Sequence, residues 1–394
     1  MAKLVYHTGT FIPMRIAEFR ITRFQYARDR VIGDSQVRIA EVHVAALELI
    51  ADTGEIGLGF IQNLFFPLPD EAEIERVFRL EAWPGLEGEP PAGLVHRVSR
   101  PRGGNQRPYS INFHEAIQLA LWDLAAKQVK LPLHKLLGSR RGRVEAYASG
   151  LDFHLTDDEY VGLFSHADAL GYRAFKIKVG HEDFDWDLNR LKLLKDNVRQ
   201  DALVMIDANE AWGAKEALTK LEVIRREGHD LFWVEDPILR DDHEGLRMLC
   251  DSAHWTLINS GEYLDAHNKR LLMEAGATDI LNVHGQVTDV MRIGWLAADR
   301  GIPVSLGNTF LEVGVHMACA LPEVQWLEYS FQNYDHLVDS PVVIENGWAH
   351  APDRPGHGLV LSETARKEWR RPTVLDSEAL GEAPANPRLG KPWN

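Results

Sequence analysis

Residues 174–180 read AFKIKVG, 204–209 VMIDAN, 231–237 LFWVEDP and 257–263 LINSGEY. Each is a short apolar run that carries or meets charged residues at its end, the pattern of a buried strand leading to a polar edge. The acids at these ends, Asp207, Glu235 and Glu262, are 28 and 27 residues apart, about one strand plus one helix, and Lys178 lies 29 residues before Asp207. If the four runs are consecutive parallel strands, three carboxylates meet Lys176 and Lys178 at one end of a single barrel. That arrangement is a divalent-metal site with a candidate base beside it.

The same rhythm extends outward. Strands are predicted at 144–149, 173–178, 203–207, 231–235, 256–260, 279–283, 303–306 and 325–328, with seven helical segments between them. This alternation predicts a modified TIM-type (β/α)7β barrel that lacks its last helix. An open doubly wound sheet competes with it, but no glycine-rich phosphate turn follows the first strand. Upstream, VHVAALELI (42–50), the turn Asp52-Thr53-Gly54 and a run to Phe60 predict a hairpin. An acidic helix is expected near 70–81, and Ile117, Ala120, Leu121 and Leu124 give helical spacing over 113–128. Leu136-Leu137-Gly138 closes a short further helix. Downstream, PVVIENGWAHAPDRPGHGLVL (341–361) reads as a hairpin, and the Pro-rich tail 383–394 as irregular. The fold class expected is therefore α/β and α+β. An α+β capping domain spans 1–140, the barrel 141–334, and a C-terminal segment, 335–394, returns to the capping domain.

With 394 residues and 45% apolar content, the chain can bury a large core. A net charge of −15 argues against nucleic acid or an anionic membrane as partner. It does not exclude an acidic substrate, because a bound cation reverses the local field. Cys250 and Cys319 are too few for a disulfide framework. MAKLVYHTGTF (1–11) has no signal-peptide pattern, and no apolar stretch reaches membrane-span length. The expectation is a cytoplasmic protein.

Strand C-terminal ends are where barrel enzymes hold their reacting groups. Three carboxylates without His or Cys at those ends suit Mg²⁺ better than zinc. Lys176 and Lys178, two apart on one strand, point the same way, inward. Two lysines and a metal close together are expected to lower each other's pKa, giving a neutral amine suited to general-base work. The parts imply removal of a proton α to a carboxylate. Lys178 would be the base, Lys176 its partner, and the metal would stabilise the enediolate.

Taken together, KIK, DAN, VEDP, GE and the GIPVS strand, in this order and spacing, resemble the enolase superfamily in its mandelate racemase-like branch. DTGEIGLGF (52–60) and the 113–128 helix with LPLHKLLG look like its capping domain, and IENGWAHAPDRPGHG its C-terminal return. The resemblance covers nearly the whole chain. It implies Mg²⁺ on Asp207, Glu235 and Glu262, Lys178 as the base for one face of the substrate, and Lys176 beside it. It also implies substrate contacts from Asn209 and Glu328.

One element departs from the pattern. The family's histidine after the GIP strand is replaced by Gly307 and Asn308. Ile280 stands by spacing where its aspartate partner belongs, with Asp279 adjacent. Asn308 becomes a candidate substrate contact, and His284, ending the sixth barrel strand, a candidate acid from a different strand. His316 reads as structural, and His154 as a possible substrate contact. Loss of the opposite-face histidine favours a dehydratase of an aldonate or aldarate, giving a 2-keto-3-deoxy acid. A racemase, epimerase or lactone cycloisomerase is the alternative, and a catalytically inactive ligand-binding protein the third reading. Specificity is expected from capping loops. Segment 26–36 (YARDRVIGDSQ), with Arg28 and Arg30, is one candidate and 101–110 another. The expected partners are a small acid-sugar substrate and further copies of the chain in a homo-oligomer.

Overall fold

Three antiparallel strands form the capping sheet: β1 (Ile16–Gly33), β2 (Arg38–Ala51) and β3 (Ile56–Gln62). The computed structural model describes residues 14–63, 67–96 and 109–381. Strand β2 is apolar on both faces because both are covered. Val44 and Ala46 join the core shared with the barrel, while Ala45, Leu47 and Leu49 pack with Ile74, Phe78 and Leu121 in a second core. Segment 26–36, expected as a loop, is strand as far as Gly33; only a turn at 34–37 remains, where Asp34 Oδ1 accepts from the backbone N–H of Gln36 and Val37. Most of the second candidate lid, 101–108, lies outside the described residues, as does the tail 383–394.

The helix His114–Gln128 lies directly on β3. Its residues Ile117, Ala120, Leu121 and Leu124 are fully buried. Close approach depends on Gly57 and Gly59. A β-carbon at residue 59 would sit 2.0 Å from the Ala116 carbonyl oxygen, and one at residue 57 would sit 2.3 Å from that of Ala120. Gly59→Val is therefore expected to destabilise the fold by at least ~1–3 kcal/mol, the usual cost of overpacking. A melting temperature equal to that of the unmodified chain would refute this.

Eight parallel strands then follow in chain order: β4 (Arg143–Ser149), β5 (Ala174–Lys178), β6 (Leu203–Asp207), β7 (Leu231–Glu235), β8 (Leu257–Ser260), β9 (Ile280–Val283), β10 (Val304–Leu306) and β11 (Val324–Tyr329). Neighbours in sequence are neighbours in space, and β11 pairs with β4 to close the barrel. The apolar floor of the barrel is a cluster of Tyr147, Ala174, Met205, Trp233, Ile280 and Trp326. Above it the inward residues are polar or charged, which fixes the reactive end.

The hairpin β12 (Val343–Glu345) and β13 (Trp348–His350) turns at Asn346 and Gly347, both at positive φ. Strand β13 pairs antiparallel with β4, so the hairpin extends the barrel sheet. The chain then reaches the capping side. His357 N–H donates to Asp123 on the 114–128 helix, and Arg23 on β1 donates to the carbonyls of Arg371 and Thr373.

Candidate active site

Parallel register sets the first contacts. Lys178 stands beside Asp207, and Asp207 beside Glu235, on three adjacent strands. Lys178 Nζ lies 2.6 Å from Asp207 Oδ2 and 2.8 Å from Asn209 Oδ1. Lys176 Nζ lies 2.6 Å from Glu235 Oε1, 3.2 Å from Glu328 Oε1 and 3.5 Å from Asp207 Oδ2. Glu328, at the end of β11, also accepts the Asn308 backbone N–H at 2.7 Å. Asn259 Nδ2 donates to Glu235 Oε2 and to Ser305 Oγ, tying β7, β8 and β10 together beneath the charges. Asn209 reaches its place because its backbone takes a left-handed conformation, φ 45°, just after the strand.

The charges do not balance. Two ammonium groups, Lys176 and Lys178, face four carboxylates, Asp207, Glu235, Glu262 and Glu328, an excess of two negative charges. Burial and then mutual repulsion push the Glu235 and Glu262 carboxyls above their usual range, although Lys176 opposes the shift. Burial likewise acts upward on Asp207, but the lysines outweigh it and hold it down, at about 2. The expected lowering is for two lysines beside a metal; the lysines and carboxylates by themselves set the opposite direction. Burial pulls both amines down, but the carboxylates outweigh it and the net shift of each is upward. The reason is the acid excess, which exceeds the repulsion between the two ammonium groups.

In kind and charge this donor set fits one hard divalent cation held by Asp207, Glu235 and Glu262. Asp207 and Glu235 are turned to the lysines, and among the described residues no three His, Cys, Asp or Glu side chains surround a common point.

The cavity above the charges has two lobes. A small one, about 70 Å³, is lined by Lys176, Lys178, Asp207, Asn209 and Glu328, with Gly33, Asp34 and Val37 of the capping turn over it. A larger one, about 630 Å³, runs between the barrel mouth and the capping domain past Phe60, Glu115, His284 and Phe310. Glu262, Tyr263, Asn308 and Gln332 line both.

Several expected contacts lie elsewhere. Arg28 lines neither lobe. Its guanidinium donates to the Gln332 carbonyl at 3.0 Å and the Tyr334 hydroxyl at 2.9 Å, and Arg30 donates to the Ser330 carbonyl, so both fasten β1 to the segment after β11. His154 is 2.8 Å from the Val37 carbonyl and lines neither lobe. His316 is buried between the His134 N–H and the His357 carbonyl, and burial lowers it to about 3. Asp279 accepts the Ile258 N–H at 2.8 Å, which commits it to the edge of β8 and removes it as a histidine partner. His284 does line the large lobe, its ring edge-on to Tyr263 at 5.4 Å. A β-carbon at Gly307 would stand 3.5 Å from that of His284 and 3.7 Å from Glu328 Oε2. It would also stand 2.9 Å from Asn282 Oδ1, so the position is closely packed and has no space for a side chain as it stands.

Lys269 escapes notice in the sequence. Its side chain is buried in the helix Ala266–Glu274 and donates to the backbone carbonyls of Gly261, Glu262 and Asn282. Burial pulls its ammonium down to about 7, although Asp236 and Glu262 oppose this. It ties the strand end that carries Glu262 to the one that leads to His284. A lysine in phase with Leu272 and Met273 on the buried helix face was the available signal.

Comparison with known proteins agrees with this architecture. Residues 163–365 match the family described as Enolase C-terminal domain-like. The chain is 31% identical over 260 residues to the 3,6-anhydro-alpha-L-galactonate cycloisomerase of Streptomyces coelicolor, covering 62% of this chain and 68% of that protein. It superposes with TM-score 0.91 and 69% identity on the crystal structure of a provisionally assigned mandelate racemase from Mesorhizobium loti, over 95% of this chain and 99% of that one. The L-talarate dehydratase of Polaromonas sp. JS666, solved with Mg and L-glucarate, gives TM-score 0.76 and 27% identity over 91% and 98%. With the closed barrel, the capping sheet and the ordered acid and lysine strand ends, these likenesses make the chain an enzyme of the enolase superfamily, in its mandelate racemase-like branch.

Proposed function

We propose that the chain is a Mg²⁺-dependent dehydratase of a sugar acid. It would take the proton α to the carboxylate, and the β-hydroxyl would leave as water on receiving a proton from the lysine side, giving an enol that tautomerises to a 2-keto-3-deoxy acid. The observation that carries the reading is the paired lysine and carboxylate cluster at the barrel mouth, opening into a cavity sized for a small acid. Asp207, Glu235 and Glu262 are the residues that would hold Mg²⁺. When bound, the cation supplies positive charge against the charge developing on the substrate carboxylate. Lys178, oriented by Asn209, would take the α-proton at Nζ once a cation on the three carboxylates offsets the negative charge that holds its amine up. Lys176, braced by Glu235 and Glu328, keeps positive charge next to the substrate carboxylate. The capping turn at 34–37 covers the small lobe and limits water there.

Gly307, which stands by sequence where the family's opposite-face histidine is expected, supports elimination over two-base racemisation, since it offers no side chain. The second reading, a racemase, epimerase or cycloisomerase, is favoured by His284, which lines the large lobe. A panel of aldonic and aldaric acids incubated in D₂O with Mg²⁺-loaded protein separates the two. We expect keto-acid formation from at least one member. Deuterium incorporation or inversion at the α-carbon without keto acid would replace the dehydratase by the second reading. No exchange and no product across the panel would leave neither standing.

A further inference from the structure

Resting on that reading, we infer that Glu115 anchors the distal end of the substrate, and that the substrate carries one carboxylate, with hydroxyl donors at its far end. The reacting carboxylate belongs in the small lobe, where both lysines are. The rest of the molecule must then pass Glu262, Tyr263, Asn308 and Gln332 into the large lobe.

The walls of that lobe say what it can accept. Its ionisable lining residues, among those described, are Glu115, Glu262, His284 and the two tyrosines, with no described lysine or arginine. Glu115 sits in the first turn of the helix His114–Gln128, at the positive end of the helix dipole. Its carboxylate makes no hydrogen bond or ion pair with any described residue; a β-carbon built at Gly285 would lie 3.9 Å from its Oε1. The ionisable group that faces it is His284, whose imidazole burial holds below its usual range. A carboxylate is acceptor-only, so a ligand hydroxyl completes it and a second ligand carboxylate is repelled by it. Amide side chains such as Gln62, Asn112 and Gln286 supply further neutral partners. Phe60, Phe310 and Tyr334 form a continuous aromatic wall, with ring centroids 4.6 and 4.3 Å apart, against which the C–H faces of a carbon chain can lie.

The test uses a hexonate and the hexarate of matching configuration, which differ at the far carbon alone. α-Proton exchange in D₂O and calorimetric binding are both read on Mg²⁺-loaded protein. For the unmodified chain we expect the monoacid to be favoured by about 100-fold, the scale of an unpaired like charge in a partly buried site. Glu115→Gln should raise KM for the monoacid, shrink the preference to about 10-fold or less, and leave Mg²⁺ affinity unchanged. Equal handling of the two acids, or an unaltered preference in Glu115→Gln, overturns the inference. Exchange with both acids alike sinks the specificity and leaves the catalytic reading intact. Selective binding of the monoacid without exchange does the opposite.

Discussion

Replacing Lys178 by methionine is expected to cut exchange of the substrate's α-proton with solvent by about 10²–10⁴-fold, the range a positioned general base supplies. The argument is geometric. Lys178 Nζ is the lysine amine held by Asn209 at 2.8 Å and Asp207 at 2.6 Å at the edge of the small lobe. Lys176 lies deeper, against Glu235, with the Tyr147 ring 5.4 Å away. Methionine keeps the apolar stem and removes the amine, so the loss should fall on kcat more than on substrate binding. Lys178→Arg should fail as well, because a guanidinium does not give up its proton at neutral pH. Circular dichroism and Mg²⁺ binding show whether each variant is folded. Full exchange in folded Lys178→Met would move the base to another residue and break the reading at its first step.

The barrel was legible because its signal is local and repeated. Each apolar run needed only its own residues and a helical segment before the next, and the predicted strands at 203–207 and 231–235 match the observed ones residue for residue. The turn at Gly138 was legible for a similar reason: its φ of 95° is one that glycine adopts without strain. What misled was the first strand. The run Arg28-Asp29-Arg30 looks like a solvated loop, but the partners that bury these arginines, Ser330, Gln332 and Tyr334, lie about 300 residues downstream, beyond any local pattern. Lys269 was readable in principle from helix phase, whereas its three acceptors are backbone carbonyls, which carry no residue signature. Glu115 had no local mark at all. Its place in the cavity depends on how the capping helix docks over β9 and β10, and that is a property of two domains together.

The lysine shifts carry a further lesson about reading charge from sequence. Two lysines and a metal, read from sequence, are mutual repellents, which leaves out the carboxylates that the lysines meet. For Lys176 the carboxylates within reach set the direction, Glu235 first and then Glu328 from the last barrel strand. That residue was expected to contact substrate; the structure also places it 3.2 Å from Lys176, so it holds the partner lysine as well.

The same count leads to the second large effect, on metal. An excess of two negative charges buried at the barrel mouth is costly unless it is paired. Mg²⁺ should therefore bind with a stoichiometry of one per chain and raise the melting temperature. The gain is about 2.7 kcal/mol at a hundredfold excess over Kd, by mass action. Glu235→Gln should abolish most of this. Glu235 is buried and shared between Lys176 and Asn259, so the amide keeps its shape and its contact with Lys176 while losing the charge. Activity should vanish with chelator and return with Mg²⁺, and calorimetry gives a readout that does not depend on knowing the substrate. Gln at 235 also leaves Lys176 with less negative charge beside it, so Glu262→Gln serves as the companion variant, since no described lysine hydrogen-bonds the Glu262 carboxylate. Unchanged Mg²⁺ affinity in both variants would place the cation elsewhere, and the acid excess would then have to be met by the substrate or by protonation.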